Sequence, residues 1–370
     1  MRTIRTTVRL LILTLIASSL AVVTLAPAAN AGASIKVLKV KGGLRGPAGF
    51  TFLPGGKLLY AERGSGQIRI LNLETKHTRR FFTVSGVNGA GERGALGVAV
   101  HPAWPDQPFV YVFATRNAGG NLRNQIVRIR ANKHDGAWKG VGMKVLLSAP
   151  ASNDPYHNGG RIEFGPDGRL YAIVGDGHNS TNAQDVTGNL RGKILRLRAD
   201  GGVPADNPTI GGERTRMFAY GIRNSFGFAF DPDTGDLWET ENGPGCNDEV
   251  NRIVAGENYG WGPSQSCPNT NNSGPSPRLP LVTYDSTIGI TGAVFCDGCG
   301  LAGAEGDLFW GACCDGGSLH RGVLNGPRDD FANVVTVFDV PGGSIYSMER
   351  APNGRIYFSD SSAIYRLAPV

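Results

Sequence analysis

One pattern returns six times along this chain, and it limits the possible folds more than any other feature. Each copy opens with a strand of alternating apolar residues, usually turns at a Pro/Asp/Gly cluster, and continues into a second strand. The first three copies begin at Gly49-Phe50-Thr51-Phe52 (turn Pro54-Gly55-Gly56), Gly97-Val98-Ala99-Val100 (turn His101-Pro102) and Arg161-Ile162-Glu163-Phe164 (turn Pro166-Asp167-Gly168). The fourth and sixth begin at Gly227-Phe228-Ala229-Phe230 (turn Asp231-Pro232-Asp233) and Tyr346-Ser347-Met348-Glu349 (turn Pro352-Asn353-Gly354). The fifth, Gly292-Ala293-Val294-Phe295, has no such turn and is followed by Gly306-Asp307-Leu308-Phe309. Closing strands read Gln67-Ile68-Arg69-Ile70, Ile126-Val127-Arg128-Ile129, Ile194-Leu195-Arg196-Leu197, Val250-Asn251-Arg252-Ile253 and Ile364-Tyr365-Arg366-Leu367.

Alternation sets one side of each strand against a neighbouring sheet, and no single copy can bury both faces of its own sheet. Spacings of about 45–65 residues are those of a four-stranded propeller blade. The expectation is an all-β chain: a six-bladed β-propeller of four-stranded antiparallel sheets over residues 32–370. Ile35–Val40 alternates apolar residues with lysines and suits the strand that closes the ring onto the last blade. The 54 glycines show no G-X-Y period and fit a fold made mostly of turns between short strands. A β-sandwich buries similar faces but leaves six matched copies unexplained.

The net charge of +6 is too small and too evenly spread to mark a nucleic-acid binder. Arg2, Arg5 and Arg9 precede an apolar run from Leu10 to Leu25, and Ala29-Asn30-Ala31 follows with small residues at cleavage spacing. That order is expected of a secretory signal peptide over residues 1–31, giving a secreted chain with no membrane span after cleavage. An even count of 6 cysteines agrees with an oxidising compartment. Cys246 with Cys267, plus two bridges among Cys296, Cys299, Cys313 and Cys314, is one partition; a zinc site from the last four is the alternative.

Loops at one end of a propeller channel converge, and the unusual residues fall in such loops. His157, in Tyr156-His157-Asn158-Gly159-Gly160, suits a general base because an imidazole titrates near neutrality. Asp176, in Gly175-Asp176-Gly177-His178, can orient that imidazole and stabilise its charged form, or merely close a turn. Arg223 and Asn224 offer a planar cation and an amide to ligand oxygens. Gly243-Pro244 carbonyls, with Asp248 and Glu249 nearby, make a hard-oxygen environment suited to Ca²⁺.

Together with Gly91-Glu92-Arg93-Gly94, Leu190-Arg191-Gly192-Lys193 and Gly256-Glu257-Asn258-Tyr259-Gly260-Trp261-Gly262, these segments resemble the glucose/sorbosone dehydrogenases, exported enzymes dependent on pyrroloquinoline quinone (PQQ). The resemblance implies a sugar dehydrogenase that delivers electrons to an external acceptor. It makes His157 the base for the sugar hydroxyl, Asp176 its support, and Arg223 a catalytic contact to the quinone. Glu92 and Asn224 join Arg223 in the cofactor site. The carbonyls of Gly243 and Pro244 hold the cofactor's Ca²⁺, and Asp248, Glu249 and Tyr259 match a further calcium site.

Two departures stand out. Where the family carries a Lys, this chain reads Trp310-Gly311-Ala312-Cys313-Cys314-Asp315-Gly316-Gly317, and where it carries two Arg, Ser344-Ile345-Tyr346. Those cations neutralise the carboxylates of PQQ, and each lost charge-assisted bond costs about 1.5–3 kcal/mol. Arg321 and Arg350 are the nearby substitutes in sequence. The departures support a second expectation, a propeller that no longer binds PQQ and recognises a carbohydrate or protein. Fold analogy alone adds a calcium-dependent lactonase.

Overall fold

The computed structural model describes residues 35–314, 316–340 and 343–370; the expected signal peptide lies outside them. Six four-stranded antiparallel sheets form the blades. Their innermost strands are Pro47–Leu53, Ala95–Val100, Ile162–Phe164, Ser225–Phe230, Ile290–Phe295 and Ser347–Arg350, matching the six sequence copies. Neighbouring inner strands contact one another around most of the ring, Ser225–Phe230 meeting the second strand of blade three, Leu170–Val174, instead, and Pro47–Leu53 also meets Ser347–Arg350.

Ring closure follows the expected route. Ile35–Lys41 pairs antiparallel with Ile364–Pro369, so the first strand of the described chain becomes the outer strand of the sixth blade. The strands read as closing ones are third strands rather than outermost ones; Gln67–Asn72, for example, is followed by Thr78–Thr83. The sixth blade is the informative exception, because its third strand, Ile364–Pro369, receives its outer partner from the opposite end of the sequence.

The glycine that opens several copies has a packing reason. A Cβ at Gly97 would lie 2.2 Å from the Gly160 carbonyl oxygen, and one at Gly227 2.1 Å from that of Thr291. Both glycines adjoin a register shift in their inner strand, where the next blade's backbone comes closest. Between blades the core is made of large side chains on alternating positions, among them Trp238, Trp310, Tyr111 and Phe113, all fully buried.

The fifth blade explains its missing turn. Its first two strands are joined by a longer connection pinched by a Cys296–Cys299 disulfide, and Cys296 and Cys299 are buried in the core. Cys246–Cys267 is the other bridge. The expected third bridge is not formed: Cys313 and Cys314 are free thiols. With Cys296 and Cys299 joined to each other, the four clustered cysteines do not form a tetrathiolate zinc site.

Candidate functional site

Antiparallel blades return the chain to the same end at every second connection. The links between successive blades and the loops joining each second strand to its third therefore share one mouth of the channel. His157 lies on the link from blade two to three, Arg223 and Asn224 on that from three to four, and Glu92 on that from one to two. Asp176, Gly243, Pro244, Cys313 and Cys314 lie on second-to-third-strand loops. The turns at Pro54, Pro166 and Pro352 fall at the opposite end.

The structure joins His157 to Asp176 directly, Nδ1 to Oδ1 at 2.7 Å, with both residues buried. Asp176 also accepts from Trp261 Nε1 at 2.8 Å and the His178 backbone N–H at 2.8 Å. A carboxylate surrounded by donors makes His157 Nδ1 the protonated nitrogen. Its Nε2 then carries the lone pair and has no hydrogen-bond partner among the described residues. His157 has a left-handed backbone, φ 56°, which costs a non-glycine residue about 1–3 kcal/mol unless surroundings impose it. Here they do. Its N–H donates to Glu92 Oε2 at 2.7 Å, and its carbonyl accepts from Gly177 at 3.1 Å.

Glu92 Oε2 also accepts from Asn224 Nδ2 at 3.2 Å, so one carboxylate ties the base to the amide. Arg223 lies over the Trp261 ring, 5.3 Å from its centroid, and donates from Nη1 to the Asn242 carbonyl. Its Nε and the Oδ1 of Asn224 are buried without partners, which leaves a donor and an acceptor available to a ligand. Burial lowers the Arg223 pKa, opposed by Asp176, Glu241, Glu92 and Asp248.

Several supports were not legible as functional residues. Arg93 donates from Nη2 to the carbonyls of Ser152 (2.6 Å), Asn153 (2.9 Å) and Asp154 (3.1 Å), which pins the loop that carries His157. Lys193 is fully buried and donates to the carbonyls of Asn182, Ala183 and Arg191, fixing the loop after Asp176; burial pulls its pKa down to about 7. Trp261 stands inside the Gly256–Gly262 motif, but only the folded chain shows its indole on Asp176.

The metal candidates divide. The carbonyls of Gly243 and Pro244 accept no hydrogen bond from the described residues, which suits cation ligands. Asp248 is engaged by backbone amides instead. Its Oδ1 accepts from the Gly243 N–H, and its Oδ2 from those of Ile288, Gly289 and Ile290. It holds the Gly243 turn from behind and presents no free oxygen. The Tyr259 hydroxyl is likewise committed, to the Arg252 carbonyl and the Val254 N–H.

Glu249 belongs to a group the sequence reading missed. On adjacent strands of blade four, Glu239 pairs with Asn251 and Glu241 with Glu249, on one sheet face. All four are buried, and Glu239 Oε1, Glu241 Oε2 and Asn251 Oδ1 lack partners. Burial pushes Glu239 up to about 7 and Glu249 to about 8, and raises Glu241 well above its usual value with help from both. Three buried carboxylates, two of them with an orphaned oxygen, beside the orphaned amide oxygen of Asn251 are a donor set that fits a hard divalent cation. The Glu-Thr-Glu alternation in a strand was the available signal.

The substitute cations do not reach the mouth. Arg321 pairs with Asp307, and Arg350 with Asp297 at 2.6 Å, on a connection at the other end. Two clefts of ≈ 500 and ≈ 630 Å³ lie elsewhere on the surface and include none of the site residues.

Fold and site together define the class: six-bladed propellers carrying a histidine–aspartate couple, an arginine and an asparagine at one channel mouth. The chain belongs to the Glucose / Sorbosone dehydrogenase family, whose profile matches residues 44–367. It is 34% identical over 244 residues to quinoprotein glucose dehydrogenase B of Acinetobacter calcoaceticus, covering 59% of this chain and 50% of that one. It is 29% identical over 236 residues to the aldose sugar dehydrogenase YliI of Escherichia coli, covering 63% of each. The matches thus span half to under two thirds of these relatives' lengths. Among solved structures, the PQQ-bound aldose sugar dehydrogenase of Streptomyces coelicolor superposes with TM-score 0.76 at 27% identity, covering 90% of this chain and 98% of that one. The E. coli aldose sugar dehydrogenase in its apo form gives 0.79 at 25%, covering 91% and 100%.

Proposed function

We propose that this protein is an exported sugar dehydrogenase that uses PQQ and Ca²⁺, with His157 as the base. The observation that carries the reading is the His157–Asp176 couple, with its free Nε2 in the mouth that also holds Arg223 and Asn224. Held at that mouth, PQQ would supply a two-electron hydride acceptor whose electrons would go to an external acceptor. The residues present fit its quinone end, because Arg223 Nε and Asn224 Oδ1 are buried and unpaired.

The chain's own part is proton handling and orientation. His157 Nε2 takes the proton of a sugar hydroxyl, and the imidazolium so formed is stabilised by Asp176 at 2.7 Å. Trp261 and the His178 N–H hold Asp176 in place, and Glu92 holds His157 against Asn224. The Arg223 guanidinium attracts negative charge that builds at an oxygen in the mouth. The Gly243 and Pro244 carbonyls are the ligands for the cofactor's Ca²⁺, and Glu239, Glu241, Glu249 and Asn251 for a second one.

The test is reconstitution. Purified protein is loaded with PQQ and CaCl₂, and dye reduction is followed across a panel of aldoses, beside His157→Gln. Sugar-dependent reduction that the variant lacks supports the reading. No reduction with any sugar while PQQ stays bound through desalting counts against it. A second reading has its own observation: Cys313, Cys314 and Ser344 are neutral where the family resemblance implies cations. If PQQ washes off completely, the propeller is a binding module for carbohydrate or protein.

A further inference from the structure

The two departures from the family pattern touch each other. Ser344 Oγ donates to the Cys313 carbonyl at 3.1 Å, and the two thiol sulfurs lie 3.3 Å apart. Both pack on Gly289: a Cβ there would sit 2.5 Å from Cys314 Sγ and 2.9 Å from Cys313 Sγ. The Cys313 N–H donates to the Gly289 carbonyl at 2.8 Å, and the Gly289 N–H to Asp248 at 2.8 Å. Asn242 continues the chain: its Nδ2 donates to the Ile290 carbonyl, and its own carbonyl accepts from Arg223. The pair is thus linked to Arg223 by a short hydrogen-bonded path. Cys314 is exposed and Cys313 is half-buried.

We infer that Cys313 and Cys314 form a site of reversible covalent modification, in which the neighbouring thiols close into a disulfide on the wall of the mouth. Two thiols alone do not complete a tetrahedral metal site, and Asp248, which bonds the Gly289 N–H beside them, is committed to four amides. Contact between two sulfurs is what an oxidant of the small-disulfide class, RSSR, needs. The exposed Cys314 sulfur attacks one sulfur of RSSR and releases one RSH. Cys313 then attacks the Cys314 sulfur of the mixed disulfide, and its proton passes through water to the departing thiolate, which leaves as the second RSH. The dithiol is oxidised by two electrons and RSSR is reduced to two RSH. Chain neighbours have Cα atoms about 3.8 Å apart across a trans peptide, short of the usual disulfide range of about 4.4–6.8 Å. The bond is therefore strained and more easily reduced than a structural bridge.

The experiment needs neither cofactor nor sugar, so it stands apart from the dehydrogenase reading. Full-length protein is equilibrated with graded ratios of oxidised to reduced glutathione, acid-quenched, unfolded, labelled with N-ethylmaleimide and digested. The peptide holding Cys313 and Cys314 is expected to lose the mass of two hydrogens and to take no label at the oxidising end. Mild dithiothreitol should restore two labels there while Cys246–Cys267 and Cys296–Cys299 stay closed. Two labels at every ratio overturn the inference, as does a glutathione adduct as the oxidised end state. Resistance to reduction equal to that of the other two bridges overturns its reversibility.

Discussion

Asp176 controls the chemistry of His157 through the identity of the proton on Nδ1. An asparagine at that position cannot accept from His157, Trp261 and His178 together without turning its NH₂ toward one of them. Turned toward the ring, it accepts nothing from Nδ1 and favours the tautomer whose Nε2 carries the proton. Asp176→Asn is therefore expected to lower kcat by about 10²–10⁴-fold with KM changed little, measured by steady-state dye reduction. At the opposite wall the missing charge is the issue. Ser344 sits on the Cys313 carbonyl, where a guanidinium would face the mouth. Ser344→Arg is expected to tighten PQQ binding about tenfold, the equivalent of one charge-assisted bond, in equilibrium dialysis. Unchanged affinity would mean that the cofactor's carboxylates do not approach that wall.

Blade four and the lower channel make predictions of their own. On the calcium reading, Glu239, Glu241 and Glu249 would be held together by a cation; without one, Glu239 and Glu249 add to the rise of the Glu241 pKa. In EDTA the protein should melt lower, and calcium at about 100 times its dissociation constant should add about 2.7 kcal/mol, or roughly 5 °C. Glu241→Gln should abolish most of that calcium response in a thermal scan. At the other end of the channel Glu349, 13% exposed, pairs with Arg161 at 2.8 Å, yet burial pushes its pKa up to about 8, with Glu163 adding to the rise. A carboxyl that binds its proton more tightly folded than unfolded stabilises the fold at low pH and loses that contribution as pH rises toward 8. Arg161, Glu163, Ser347 and Arg350 are the polar groups around it. Glu349→Gln should flatten the fall in melting temperature between about pH 5 and 8. These elements also show what could be read in advance. Inner and third strands repeat because both faces are buried, so their side chains are constrained. Outer strands such as Phe331–Asp339 expose one residue after another and carry no pattern. His157, Asp176, Arg223 and Asn224 were legible because loop residues of those types stood in recognisable order. Arg93 and Lys193 were not, since a cation buried among backbone carbonyls leaves no spacing in the sequence.

At the scale of the whole ring, closure rests on one strand taken from the front of the described chain. Ile35–Lys41 covers the edge of Ile364–Pro369, and its Ile35 and Val37 pack on the core around Met348, Phe358 and Leu367. Val40 packs on another cluster, around Phe50, Tyr60 and Ile364, which joins blade six to blade one. The strand therefore protects an edge and binds the two ends of the ring at once. Without it, Leu367 would be uncovered beside an unpaired row of backbone groups, a template for association. Each well-buried aliphatic side chain contributes about 1.5–3 kcal/mol, and these three are half-buried, so deleting residues 35–41 should cost several kcal/mol. The melting temperature should fall by roughly 5–10 °C, with aggregation replacing reversible unfolding. Glu92 and Ser344 lie on the links flanking this junction, so loosening it should reach the mouth as well. In the shortened protein, hydrogen exchange at Glu92 and at Ile345, whose N–H bonds the Ala312 carbonyl, is expected to rise together. A melting temperature equal to that of the intact chain would show that side-chain packing between blades one and six closes the ring without the strand.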